Sequence, residues 1–268
     1  MANFNPYPFQ SPREQFLAFF RSGSWLSRLI LANAVIFLLA NLLGLFFWLF
    51  ESDGVSHMVR WLAVPADPSI LIHKPWTILT YMFFQQDLLH LLFNMIVLYF
   101  GGKIFLEFLG ERRLLWVYLI GGLAGAAFFV LSYGFFPVFR DELPYAVALG
   151  SSASVLAVLI AAATYVPEYH LQLFLFGRVK LKYIALVFVI LDIFSIQRGN
   201  AGGHIAHLGG AFLGFAYAYS IRQGVLTAGS ADRAGKRRQP GARGTWKVKK
   251  GREGQPPSGR PLSDEEYN

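Results

Sequence analysis

From Leu29 to Phe50 the chain carries no charged residue. A helix needs about 20 apolar residues to cross a hydrocarbon core about 30 Å thick, so this run is long enough to span a bilayer. Trp25 and Trp48 stand near its ends, where interfacial aromatics belong. Five further apolar stretches follow: about Leu88 to Leu106, Leu114 to Phe135, Gly150 to Val166, Leu181 to Ile196 and Gly203 to Ile221. Charged residues make up 15% of the chain, well below the roughly 25% of a soluble domain. The chain therefore reads as an all-α polytopic membrane protein with six transmembrane helices. It does not read as a soluble enzyme built round one large core.

The net charge of +8 suggests a nucleic-acid partner until it is mapped. Much of it lies from Arg222 onward, after the last apolar stretch, and on a membrane protein that is a topology signal. Six spans put both termini on one side. Arg60, Lys74, Arg140 and Arg198 fall on the opposite side, and every other Lys and Arg falls with the termini. The positive-inside rule then places the N and C termini in the cytoplasm. The partner implied is the lipid bilayer, with no nucleic acid; the oligomeric state is open. The chain has no cysteine, which excludes disulfides, thiol catalysis and Cys-based metal sites.

Three parts follow: an N-terminal cytoplasmic or interfacial segment over 1–24, a membrane domain over 25–222, and a basic, disordered tail over 223–268. No signal-peptide pattern opens the chain. Ser11-Pro12-Arg13-Glu14 has an N-cap, a proline at the first helical position and a capping-box glutamate. It predicts a short helix, either on the membrane surface or leading into the first span. The connection over 51–87 is long and apolar, so it is expected to hold short helices lying partly in the bilayer. In the tail, Ser263-Asp264-Glu265-Glu266 reads as another capping box.

Ser152 opens the fourth stretch among small residues, Gly150, Ser151, Ala153 and Ser154. A glycine two residues earlier lets a substrate approach the backbone. At the first turn of a helix, unpaired N–H groups and the positive helix end can stabilise an oxyanion. Taken alone, the same residues suit ordinary helix packing in membranes. His207 on the sixth stretch shares a helical face with Gly203, Gly210 and Gly214, so it points at a neighbouring helix. Imidazole is well suited to take a proton near neutral pH. Ser152 to Val166 spans roughly 22 Å of helix at 1.5 Å per residue, which places Ser152 below the outer surface. His90 and Asn94, one turn apart on the second stretch, could donate to an oxyanion or serve as interhelical glue.

His90-xxx-Asn94, Gly150-x-Ser152-Ala153 and Ala206-His207-xx-Gly210-xxx-Gly214 stand in order on the second, fourth and sixth spans. Gly101-Gly102, Leu106-Glu107, Gly110 and Gly121 to Gly125 add to the pattern. Together they resemble the rhomboid intramembrane serine proteases, over roughly residues 25–222. The resemblance implies a six-helix bundle of rhomboid type with Ser152 as nucleophile and His207 as general base. It implies an oxyanion hole from His90, Asn94 and the Ser152 backbone N–H, a Ser–His dyad without an acidic third member, and no cofactor or metal. The substrates implied are transmembrane proteins, cut in or near their membrane helices. A bacterial cytoplasmic (inner) membrane is the expected location, with the active site open to the outer side. The chain departs from the pattern at Ala153, where many members have glycine, and at Trp76-Thr77, where many have Trp-Arg in the first outer loop.

Rival residues and classes are weaker. Ser151 and Ser154 are nearby serines, and His204 lies one turn before His207. Asp192 lies about 9 Å by helix rise from Arg198 and reads as a polar anchor near the outer boundary. The glycine-rich stretch Arg198 to Gly203 reads as a flexible lid. A zinc protease needs a pattern such as His-Glu-xx-His, and His204-Ile205-Ala206-His207 lacks its glutamate. An aspartyl protease needs a second membrane aspartate. A transporter would favour an internal repeat and paired midplane charges. A proteolytically inactive relative that binds transmembrane clients is the remaining alternative.

Overall fold

The computed structural model describes residues 11–173 and 177–225. The basic tail from residue 226 onward, with its second capping box, lies outside the described residues.

Ser11 caps α1 (Pro12–Arg21) as its sequence predicts. The Glu14 backbone N–H donates to Ser11 Oγ, and the Ser11 backbone N–H donates to Glu14 Oε2 at 2.7 Å. The first long apolar run is α2 (Trp25–Leu49). The connection after it holds short elements: α3 (Gly54–Leu62), β1 (Val64–Pro65), α4 (Pro68–Leu71) and α5 (Thr77–Thr80). Two long helices follow, α6 (Leu88–Leu109) and α7 (Glu111–Phe135). Then come β2 (Val147–Ala148), α8 (Ser152–Tyr165), β3 (His170–Leu173), β4 (Gly177–Lys180), α9 (Leu181–Ser195) and α10 (Ala201–Arg222).

Among the described residues, α2, α6, α7, α8, α9 and α10 are the helices of 14 residues or more, and they match the six apolar stretches. Three of them, α2, α6 and α7, are long and apolar enough to cross a membrane by length and composition. The outer face of α2 exposes Leu31, Leu38, Leu42, Leu45 and Phe46, each more than half accessible. Water would not tolerate so continuous an apolar face. With its spanning helices, this makes the chain an integral membrane protein.

At the centre stands α8. Every residue from Ala153 to Ala163 is buried, because α6, α7, α9 and α10 all pack against it. Alanines and glycines make that enclosure possible. A Cβ added at Gly210 would lie 2.1 Å from the Ala153 carbonyl oxygen, and one at Gly214 would lie 2.3 Å from that of Ala157. Backbone thus meets backbone along the α8–α10 seam, the close approach that drives helix association where lipid supplies no hydrophobic force. On the other side, Gly121 and Gly125 of α7 bring that helix onto Ala157 and Ala153.

Two small antiparallel pairs were not legible in the helical pattern. β1 pairs with β2 in the register Val64↔Ala148, which ties the first connection to the segment entering α8. β3 pairs with β4 after α8. Beside that hairpin Glu168 accepts from Lys180 at 2.6 Å and from Lys182. The two ammonium groups hold its carboxyl down to about 2.

The first connection is anchored without the arginine usual after its tryptophan. Trp76 stacks on Trp61 with centroids 5.4 Å apart and donates its indole N–H to the Trp61 carbonyl. Thr77, buried, donates to the Lys74 carbonyl at 2.6 Å.

The seam is testable. Gly210→Ala should lower unfolding free energy in mixed micelles by about 1–3 kcal/mol, the cost of overpacking. Gly134→Ala on α7 meets nothing within 4 Å and should be neutral or stabilising by up to about 1 kcal/mol.

Candidate functional site: the junction of α6, α8, α9 and α10

The site starts at the α8 N-terminus. Gly150 has φ +117, a backbone that L side chains rarely adopt, and a Cβ there would lie 3.2 Å from the His90 ring. Its N–H donates to the Tyr81 carbonyl at 2.9 Å, which pins the turn to the first connection. The first helical bond of α8 runs from the Val155 N–H to the Ser151 carbonyl. The N–H groups of Ser152, Ala153 and Ser154 therefore have no partner within the helix.

Of the three neighbouring serines, one faces the histidine. Ser152 Oγ lies 2.6 Å from His207 Nε2. Ser151 is fully buried and accepts from Gln85 Nε2 at 3.1 Å. Ser154 is turned toward α7, where a Cβ on Gly122 would lie 2.5 Å from its Oγ.

His207 is held from behind. Its Nδ1 lies 2.7 Å from Asp192 Oδ1, and His204 Nδ1 lies 2.8 Å from the same oxygen. An ionised carboxylate only accepts, and a neutral ring that donates to it through Nδ1–H turns an Nε2 lone pair to its other partner. For His207 that other partner is Ser152 Oγ. The sequence did not give the partners of Asp192: it is a buried residue of α9 bonded to two histidines of α10. His204 shares the acid. The stretch expected as a lid is also shorter than its composition suggests. Gly199 and Asn200 are turn, and α10 already begins at Ala201, capped by the Asn200 side chain. Gly203 packs under that cap and not in the seam.

Asp192, His204 and His207 are also the one group among the described residues with metal-ligand character, their donor atoms all within 4.8 Å of one another.

His90 and Asn94 lie on the α6 face toward Ser152, and both line a cavity of about 230 Å³ with Ser152 and His207. Apolar side chains complete it: Phe93 and Val97 of α6, Leu156 of α8, and Phe188 and Leu191 of α9. A second cavity of about 230 Å³ also meets the pair and His90, bordered by Tyr81, Gly150, Asn200 and Gly203. Asn94 is buried and gives one N–H to Gln85 Oε1 at 2.9 Å, which leaves its second N–H.

Gln85 is the residue the sequence did not single out. It is fully buried, and its amide joins Asn33 of α2, Ser151 and Asn94. Asn33 in turn donates to the Tyr118 hydroxyl, which donates to the Met82 carbonyl. The available signal was Asn33, a polar residue in the first uncharged run.

A sequence model of the Rhomboid domain matches residues 73–224, more than half of the chain. The chain belongs to the rhomboid family. Among curated proteins, a relative from Arabidopsis thaliana, "RHOMBOID-like protein 12, mitochondrial", is 29% identical over 157 residues. That match covers 55% of this chain and 47% of that protein. "Presenilin-associated rhomboid-like protein A, mitochondrial" of Danio rerio is 31% identical over 138 residues, covering 50% of this chain and 34% of that protein. The chain thus matches about half or less of the length of these relatives. In this rhomboid domain the residues picked out by motif spacing (His90, Asn94, Gly150, Ser152, Ala153, His207, Gly210 and Gly214) converge on one junction of helices.

The Gln85 bridge should matter for stability. Gln85→Met leaves Asn33, Ser151 and Asn94 short of partners and should cost about 1–3 kcal/mol in reversible unfolding.

Proposed function

We propose that the protein is an intramembrane serine endopeptidase that cleaves membrane-anchored proteins in or near their transmembrane helices. The observation that carries this reading is the 2.6 Å approach of Ser152 Oγ to His207 Nε2. Membership of the rhomboid family supports it.

In this reading Ser152 Oγ attacks the scissile carbonyl as its proton passes to His207 Nε2. The oxyanion is held by the first-turn N–H of Ser152, the free N–H of Asn94 and His90. Collapse breaks the C–N bond, and His207 returns the proton to the leaving amine. Water then adds to the acyl-enzyme by the reverse sequence. The residues need no metal or organic cofactor for these steps. The cavity between α6 and α9 suits an apolar substrate side chain. The cavity beneath Tyr81 and Asn200 suits the water.

The reading takes all six long helices as membrane crossings of a domain over residues 25–222, with both termini cytoplasmic by the Lys/Arg distribution. At 14 residues α8 is roughly 21 Å long, short of the hydrocarbon thickness, so Ser152 sits at depth. Both relatives are named as mitochondrial proteins and lend no support to the bacterial membrane expected from the sequence.

The test is cleavage of a model transmembrane substrate by the purified full chain. Ser152→Ala and His207→Ala should each lower kcat by about 1,000-fold or more. A fluorophosphonate should label Ser152 and neither Ser151 nor Ser154. EDTA should leave the rate unchanged; loss of activity with the chelator would point to a metal at Asp192, His204 and His207 instead. Variants that cut as fast as the parent would sink the reading. A chain that binds such segments but never cuts them would be an inactive rhomboid relative.

A further inference from the structure

The inward face of α9 carries Leu181, Ala185 and Phe188, then Asp192. Its neighbours Leu191 and Ile193 are more than half exposed. Apolar packing explains the first three residues and not the fourth. An ionisable group is costly among apolar helices unless it is partnered. A small residue would let α9 meet α10 at lower cost. Asp192 instead accepts two N–H groups on Oδ1, at 2.7 Å from His207 and 2.8 Å from His204.

We propose that Asp192 is the acidic third member of this site, a positioning residue that holds His207 as its Nδ1–H tautomer and faces the positive charge that ring takes up. The inference rests on the Ser–His reading above and departs from the two-residue arrangement that the family resemblance implies. A neutral imidazole can carry its proton on either nitrogen, and the bond made by one decides the state of the other. Only the Nδ1–H form can accept the Ser152 proton at Nε2, and the Asp192 oxygen selects that form. The ring orientation follows from the same bond, because Asp192 and Ser152 lie at its two ends. When the Ser152 proton arrives, His207 becomes an imidazolium with both nitrogens protonated. Its Nδ1 proton stays on the ring, and the charge lies beside the carboxylate in a poorly solvated setting where the attraction is strong. His204 supplies the second donor that the buried carboxylate needs when His207 is neutral. Asp192 acts through His207 and touches no reacting atom. The competing role, polar glue between α9 and α10, would leave tautomer and turnover unchanged in a folded variant.

The experiment uses the full chain in micelles with ¹⁵N-labelled histidine, the His207 signals being assigned with His207→Gln. In the parent, His207 should carry its proton on Nδ1 while the ring is neutral. In Asp192→Asn, whose amide can donate to Nδ1, the proton should move to Nε2. With a model transmembrane substrate, Asp192→Asn should lower kcat by about 100-fold or more, with KM within about threefold of the parent. Asp192→Glu, which restores an acceptor, should recover at least about tenfold of that loss. An Nε2–H tautomer in the parent overturns the proposal, and so does Asp192→Asn turning over within about threefold of the parent. Ser152→Ala run beside them separates the two ideas. If it cleaves like the parent, or the parent cuts nothing, the protease reading fails, and the tautomer of His207 still decides the role of Asp192. If Asp192→Asn does not fold, the parent tautomer and the Asp192→Glu variant decide it.

Discussion

The contact on which the rest depends is the one between two backbones, α8 and α10. Gly210 and Gly214 stand where any side chain would run into the carbonyl oxygens of Ala153 and Ala157. Ser152 is the residue before Ala153, and His207 lies one helical turn before Gly210. The serine–histidine hydrogen bond is therefore set by the same few ångströms that set the seam. Packing interiors are dense and compress little, so a seam of this kind fixes the two side chains more tightly than a loop would. α7 presses from the opposite side through Gly121 and Gly125, leaving α8 no direction in which to relax.

A second constraint is polar. The α8 N-terminus ends inside the bundle, and its approach brings Ser151 and the polar backbone of the turn with it. Buried groups of this kind must be paired. Gln85 answers that need with one amide, reaching Ser151, Asn33 and Asn94. Gly150 answers it by donating to Tyr81. The β1–β2 pair carries the same tie outward. Because Asn94 belongs to this network as well as to the cavity, the orientation of its second N–H is set by Gln85, which also holds Ser151, the neighbour of Ser152.

Much of this was legible in the residues. The six apolar runs became six helices with boundaries shifted by a few residues, because a run that is apolar along its length leaves little choice of element. Ser152 was separable from Ser151 and Ser154 by motif spacing, and only Ser152 faces His207. The partner of Asp192 was not legible. Helix rise gave its distance from Arg198, but rise says nothing about which way a residue faces, and the direction decides that it meets α10. Gln85 lies in an irregular segment with no period to read. The two β pairs involve strands of two to four residues, too short for alternation to show. The outer stretch is less irregular than its glycines suggest for a local reason: Asn200 at φ 51 caps the helix at once, so Gly202 and Gly203 are absorbed into its first turn.

On the proposed reading, the depth of the site and its chemistry are linked through the length of α8. A helix of full membrane length would lift its N-terminus toward the surface, where first-turn N–H groups bond to water and lose much of their pull on a developing charge. A helix of 14 residues keeps those groups among apolar walls, where an electrostatic contact is worth more. On the proposed reading, the same depth makes water scarce, and the hydrolysis needs water. The two cavities meet that conflict by division. Phe93, Val97, Phe188 and Leu191 line one cavity at the serine–histidine pair, and Tyr81, Asn200 and the turn at Gly150 line the other. Ser152 and His207 lie on the boundary between them. On the proposed reading, that boundary is where an apolar substrate and the water that releases it can reach the same oxygen.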